Sequence, residues 1–168
     1  MTSSRRTLGT LLRHLLDLLD GDVERTYRSM GLDYRPRFTP VMRFLEERGA
    51  APIREIALHA GVSHPGMSQT VSEMVRAGLA RLERGSDGRE RLVHLTERSM
   101  ELLPVLKRCW SATNSAAAQL SREAGLDLEQ SLEGVIRLLQ DRPFADRISE
   151  HLRSGEAAKP VEAPSARV

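Results

Sequence analysis

The run IREIALHAGVSHPGMSQTVSEMVRAGLARLERGSDGRERLVHLT, residues 53–96, decides the fold of this chain. Its first eight residues, Ile53 to Ala60, carry helical spacing, with Ile56 and Ala57 as apolar and small packing positions. Gly61 can take the positive backbone angle that a sharp turn between helices needs. Val62 is an apolar turn residue suited to plug the gap beneath it, and Ser63 can cap a following helix by accepting a backbone N–H. From Ser63 onward Met67, Val71, Met74 and Val75 share one side, and Gly78 stops the helix. The period then changes. Leu79–Glu83 and Glu90–Leu95 predict two short strands, and Gly85-Ser86-Asp87-Gly88 between them is turn chemistry.

Helix, tight turn, helix and hairpin is the order of a winged helix-turn-helix, in which the first helix braces a second that enters the major groove. The opening of the second helix suits that task. Ser63 to Ser72 holds no acidic residue, although 23 of the 168 residues are Asp or Glu. Ser63, Ser68 and Ser72 are short donors for phosphate oxygens; Gln69 can pair bidentately with an adenine edge, and His64 can donate to guanine or phosphate. Pro65 and Gly66 leave little bulk at the helix start, so the backbone can approach a duplex. An ordinary polar surface helix would look similar, and the hairpin tips the balance. It carries Arg81, Arg84, Arg89 and Arg91, with Arg89 just past the turn, where a wing can push it into a minor groove. A solvent-facing hairpin with Asp87 paired to Arg89 is the bland alternative, and both hold if Asp87 orients Arg89.

Working outward, Leu8, Leu11, Leu12, Leu15, Leu16 and Leu19 mark one face of a long first helix, prolonged by Val23, Tyr27 and Met30 past a weakening at Gly21. The stretch Asp33 to Phe38 is too proline-broken for a regular element. A second helix starts near Thr39-Pro40 and runs to Arg48. Thr96 caps a long helix to about Ala124, with Pro104 predicting a kink inside it. Further helices cover about Leu128 to Gln140 and the residues after Pro143. The composition of the last residues predicts a disordered tail. The organisation expected is therefore mainly α: an N-terminal dimerisation helix over 1–30, a DNA-binding domain over 31–96, C-terminal dimerisation helices over 97–154 and a tail over 155–168.

Bulk properties narrow the class. Apolar residues at 40% and charged residues at 29% fit a globular protein with its own core. No apolar stretch approaches the roughly 20 residues that cross a bilayer, and no signal-peptide core is present, so a cytoplasmic location without membrane contact is expected. The pI of about 9.1 accompanies a formal net charge of only +2, so charge alone argues weakly for nucleic acid. One cysteine, Cys109, excludes an internal disulfide framework and a multi-thiolate zinc site.

The residues quoted from Ile53 to Ser63, the run Met67 to Ala80, and Asp87-Gly88-Arg89 leading to Leu95-Thr96 together resemble the multiple-antibiotic-resistance regulator (MarR) family in order and spacing. The resemblance is sharp from about Gly31 to Thr96. It implies a homodimer with intertwined N- and C-terminal helices, two reading helices in successive major grooves of double-stranded DNA, and wings touching the minor groove. Carried over by position, the reading helix uses Ser63, His64, Pro65, Gly66, Ser68, Gln69 and Ser72, and the wing uses Arg84, Asp87, Arg89 and Arg91. The chain departs from the family at Gln69, where Arg is frequent, at Thr70, where an apolar residue is usual, and at Gly66, which replaces a common Ser or Thr. The Tyr34 to Phe38 and Ser63 to Gln69 runs also resemble the regulator half of fused regulator–acetyltransferase proteins. With no room for that second domain, no such activity is expected.

The expected function is thus a sequence-specific transcriptional regulator, a ligand-responsive repressor on a near-palindromic operator. The other reading is a winged helix that binds a partner protein without productive DNA contact. A small-molecule effector site between dimer helices and DNA-binding lobe can be lined by Tyr27, Arg28, Tyr34, Phe38 and Trp110, with Arg28 facing an anion, although each aromatic serves equally as core. His59, His64 and His94 lack a completing ligand, so no metal is expected. Cys109 lies on an apolar stripe beside Trp110 and is expected to be a buried thiol rather than a redox switch. No nucleophile-elbow motif, Ser-His-Asp set or phosphate-cradling glycine loop is present, so no cofactor and no enzymatic activity are expected.

Overall fold

The structure, a computed structural model, describes residues 6–85 and 91–154. In chain order these form α1 (Leu8–Ser29), a 3-10 turn (Pro36–Phe38), α2 (Thr39–Arg48), β1 (Ala51–Pro52), α3 (Ile53–Ala60), α4 (His64–Arg76), β2 (Ala80–Arg84), β3 (Arg91–Leu95), α5 (Glu97–Ala124), α6 (Leu128–Asp141) and α7 (Phe144–Ser154). The turn expected at 86–90 and the tail expected at 155–168 lie outside the described residues. The chain packs as two units, Met1–Thr113 and Asn114–Val168. The first unit takes in the elements from α1 to the first part of α5.

The reason is the core of that first unit. Tyr27 from α1, Tyr34 and Phe38 from the following segment, Val41, Met42 and Leu45 from α2, and Ile56 and Ala57 from α3 are buried with Met67, Val71 and Met74 from α4. Leu103, Leu106, Cys109 and Trp110 of α5 join the same cluster. Five aromatic rings, with Phe44 among them, are joined by the flexible methionines Met42, Met67 and Met74, which suit irregular gaps. α1 continues as one helix through Gly21, and α5 continues across Pro104, which has no N–H to donate to the Met100 carbonyl.

Two elements differ from expectation. Residues 36–38 form a 3-10 turn because Pro36 presets the first dihedral and Phe38 is drawn into the core at 3% exposure. The sheet has three strands rather than two, in the order β1-β3-β2, with β1 antiparallel to β3 through Ala51↔Val93 and Pro52↔Leu92. A two-residue strand carries no period to read, and Pro52 is tolerated because β1 lies at the edge.

The start of α5 is stitched to the end of α4. Thr96 Oγ1 donates to the Gly78 carbonyl at 2.8 Å, and Arg98 Nη1 donates to the Ala77 carbonyl at 3.1 Å. Ser99, fully buried, donates its hydroxyl to the Leu79 carbonyl. The carbonyls of the turn that follows α4, Ala77 to Leu79, are thereby satisfied. In the second unit, Asp127 caps α6 by accepting from the Gln130 amide at 2.9 Å, and Arg147 donates to the Leu138 carbonyl at 2.9 Å. No residue of α6 or α7 is buried. Replacing Ser99 with Ala should lower stability by about 1 kcal/mol, the usual net worth of one buried hydrogen bond. Urea unfolding checks this: the midpoint should fall at constant slope, and an unchanged midpoint would remove the stitch from the energetics.

Candidate nucleic-acid interface

α3 and α4 meet at a turn built as the sequence predicts. Gly61 ends α3 in the left-handed region at φ 64°, and Ser63 caps α4 by accepting from the Gly66 amide at 3.3 Å. Val62 departs from expectation. It stays 43% exposed rather than plugging a gap, because the space beside it is at Gly66. A Cβ at residue 66 would stand 3.2 Å from both Val62 Cγ1 and Ser63 Oγ, so the glycine serves this packing as well as keeping bulk low.

The phase of α4 is fixed by burial. Met67, Thr70, Val71 and Met74 face inward at the i, i+3, i+4, i+7 spacing of one helix face. Thr70, polar where an apolar residue was expected, satisfies its hydroxyl by donating to the Gly66 carbonyl at 3.1 Å. On the opposite side His64, Pro65, Gln69, Ser72 and Arg76 are exposed and Ser68 is half-buried. Ser72 donates to the Ser68 carbonyl at 2.8 Å, which leaves its lone pairs free to accept. Arg76 completes the stripe one turn beyond Ser72. Sequence reasoning stopped at Ser72 and missed it, although continuing the same spacing would have found it.

One acid sits on this helix, and it is not an open negative charge. Glu73, with 12% of its side chain exposed, pairs with Arg35 Nη1 at 3.0 Å and with Arg37 Nη2. Both arginines come from the turn before α2, 38 and 36 residues away in sequence. No local pattern reveals such a contact. The cluster carries two cations against one anion, so a net positive charge remains beside α4.

The hairpin registers Ala80↔Leu95, Arg81↔His94, Leu82↔Val93, Glu83↔Leu92 and Arg84↔Arg91. Arg81 and His94 are both engaged by Glu83, His94 Nε2 at 3.3 Å. Arg84 and Arg91 face each other at the last rung and are both exposed. Like charges directly opposite are destabilising by themselves, so such a rung is relieved by an anion. Asp87 and Arg89, expected at the wing tip, lie outside the described residues.

The other candidate residues are placed as follows. Tyr27, Tyr34 and Phe38 stack edge-to-face at 5.0 and 5.7 Å, and Trp110 lies beneath Arg43 at 4.9 Å. Burial pushes the Tyr34 phenol far above its ordinary range. All four rings are buried in the core. Arg28 does not join them; it is exposed and paired with Glu24 at 3.2 Å. His59 packs on Phe44, ring centroids 5.0 Å apart, and among the described residues no three metal-ligating side chains gather. Cys109 is buried, its sulfur 3.3 Å from Met30 Sδ. No described helix is long and apolar enough to cross a membrane.

Comparison with known proteins agrees with this architecture. Residues 39–90 match the MarR family. No protein of curated function matches the chain. Among solved structures, the M. tuberculosis transcriptional regulator MOSR in complex with DNA superposes with a TM-score of 0.64 at 20% identity, covering 81% of this chain and 96% of that one. The transcriptional repressor CouR bound to a 23-mer DNA duplex gives 0.58 at 18% identity, covering 80% and 92%. The PcaV transcriptional regulator from Streptomyces coelicolor, in complex with its natural ligand, gives 0.57 at 19% identity, covering 83% and 99%. At these identities the likeness establishes the fold, a mainly helical winged helix.

Replacing Ser63 with Ala should cost about 1 kcal/mol through loss of the cap. Replacing exposed Gln69 with Ala should stay within about 0.5 kcal/mol. Thermal unfolding of both variants tests the assignment. Equal losses would mean that α4 is held differently.

Proposed function

We propose, from the premise that residues 39–90 carry the MarR-family winged helix, that this protein is a homodimeric, sequence-specific DNA-binding transcriptional regulator rather than an enzyme. The observation that carries the reading is the outward stripe of α4. Every fully exposed side chain on that helix is uncharged or cationic, in a chain where acids nearly equal bases. A stripe of this kind meets a phosphate-flanked groove without repulsion and offers donors to base edges. Ser63, His64, Pro65, Gly66, Ser68, Gln69 and Ser72 contact the major groove, with Arg76 added at the far end. Arg84 and Arg91 grip phosphate at the base of the wing, and Asp87 orients Arg89 toward the minor groove.

Support for the dimer comes from apolar surface left without a partner. Leu8, Leu11, Leu12, Leu16, Leu18 and Leu19 of α1 are 43–65% exposed. In the other unit Leu132, Val135, Ile136 and Leu139 of α6 and Phe144, Ile148 and Leu152 of α7 are exposed as well. Amphipathic faces of this extent mark interaction surfaces. A second copy of the chain covers them, and a two-fold dimer reads a near-palindrome. The regulator acts as a repressor that a ligand or modification releases by changing the spacing of its two reading helices. DNA and ligand complexes among proteins of the same fold support this reading.

Two measurements test the proposal. Binding to duplex DNA should fall steeply with salt, and the Arg84→Ala, Arg91→Ala double variant should flatten the slope of log K against log[salt] by about 2. A protein that binds no duplex, or binds with no salt dependence, would favour the partner-binding module. Replacing Leu12 and Leu16 with Glu should convert the dimer to monomer in sedimentation equilibrium while leaving the melting of the first unit intact. An unaltered mass would move the dimer contact elsewhere.

A further inference from the structure

The carboxylate of Glu73 has both oxygens in use. Oε2 accepts from Arg35 Nη1 at 3.0 Å and from Arg37, while Oε1 faces Gln69 Nε2 at 3.5 Å, the outer limit of a hydrogen bond. What matters at that distance is sign rather than strength. A carboxylate can only accept, so an amide turned the other way would set its Oε1 against Glu73, acceptor against acceptor. The two arginines and the 12% exposure of Glu73 hold the carboxylate in place, while Gln69 itself is exposed.

We propose that Glu73, clamped by Arg35 and Arg37, is a positioning residue that sets the sense of the Gln69 amide and thereby makes the reading helix choose adenine over guanine at one base pair. The inference rests on the DNA-binding reading of α4 and deepens it. One Nε2 hydrogen is directed at Glu73. The other lies on the same edge of the amide as Oε1, so the edge left for a ligand is one acceptor beside one donor. In the major groove that edge matches the N6 amino group and N7 of adenine. The reversed amide would present donors instead, which suit O6 and N7 of guanine. The clamp therefore removes the guanine-reading alternative without touching DNA. It also accounts for an acid tolerated on a helix that approaches phosphates, since its two cations more than offset its charge.

The test uses the full chain and a pool of duplexes with randomised sequence. Selection with wild type and with Gln69→Ala identifies the pair that Gln69 reads, as the one position whose preference is lost. At that pair wild type should favour adenine over guanine by about tenfold, within the range of one good bidentate contact. Glu73→Gln keeps the shape but can donate as well as accept, so the ratio should fall to within about twofold; the lost negative charge raises affinity for every duplex alike and so does not move the ratio. The Arg35→Ala, Arg37→Ala variant, which frees the carboxylate, should shift the ratio the same way and serves where Glu73→Gln does not fold. A folded Glu73→Gln protein that keeps the full ratio would overturn the clamp and leave DNA binding standing. So would a wild-type preference for guanine, or a Gln69→Ala variant that loses no position. If wild type binds no duplex at all, the DNA reading fails and the clamp with it.

Discussion

The burial of Met67, Thr70, Val71 and Met74 is the constraint from which the rest follows. A helix that packs four positions of one face into a core has no freedom to rotate, so its other face is set as well. Rotation is further opposed at both ends. Ser63 caps the start, while Thr96, Arg98 and Ser99 of the β3–α5 junction hold the carbonyls of the turn just after the helix. α5 thereby serves α4 before any role of its own in assembly. A side chain on the outer stripe is positioned by contacts it does not itself make, which is what a reading element requires.

Charge in the first unit is arranged by the same economy. Acids near the outer face are engaged: Glu73 by Arg35 and Arg37, and Glu83 by Arg81 and His94. Among the described residues, Arg76 of α4 and Arg84 and Arg91 of the hairpin are exposed cations. Exposed pairs of this type contribute little to stability. Their effect is on local charge: two arginines against the one Glu73 carboxylate leave a cation in excess beside α4, although the whole chain carries only +2. A low net charge is therefore compatible with a strongly directional surface.

Much of this was legible in the sequence where the signal is local. Gly61 and Ser63 mark the turn within three residues, and α3 from Ile53 to Ala60 follows directly from its spacing and its stop. Period announced Met67, Val71 and Met74 of the inward set of α4, but Val75, expected with them, is exposed and Thr70 takes the fourth place. The edge strand at Ala51–Pro52 was not legible, because two residues have no alternation. The Arg35–Glu73–Arg37 cluster was not legible either, since its members lie far apart in sequence and only folding joins them. The gathering of Tyr27, Tyr34, Phe38 and Trp110 was anticipated, with core and site lining both open; the rings are core, and Arg28 is not among them. Arg28 follows Tyr27 by one residue and so points about 100° away around α1, the angle between neighbours on an α-helix.

The central claim, that α4 lies in the major groove of DNA, is tested most directly by dimethyl sulfate protection on a duplex selected by the full-length protein. This reagent methylates guanine N7, which opens only to the major groove. The account predicts two protected clusters on one side of the duplex, their centres about 10 base pairs apart, one for each subunit. Guanine N7 reactivity that stays unchanged across the bound site, with the protein demonstrably on the DNA, would contradict it.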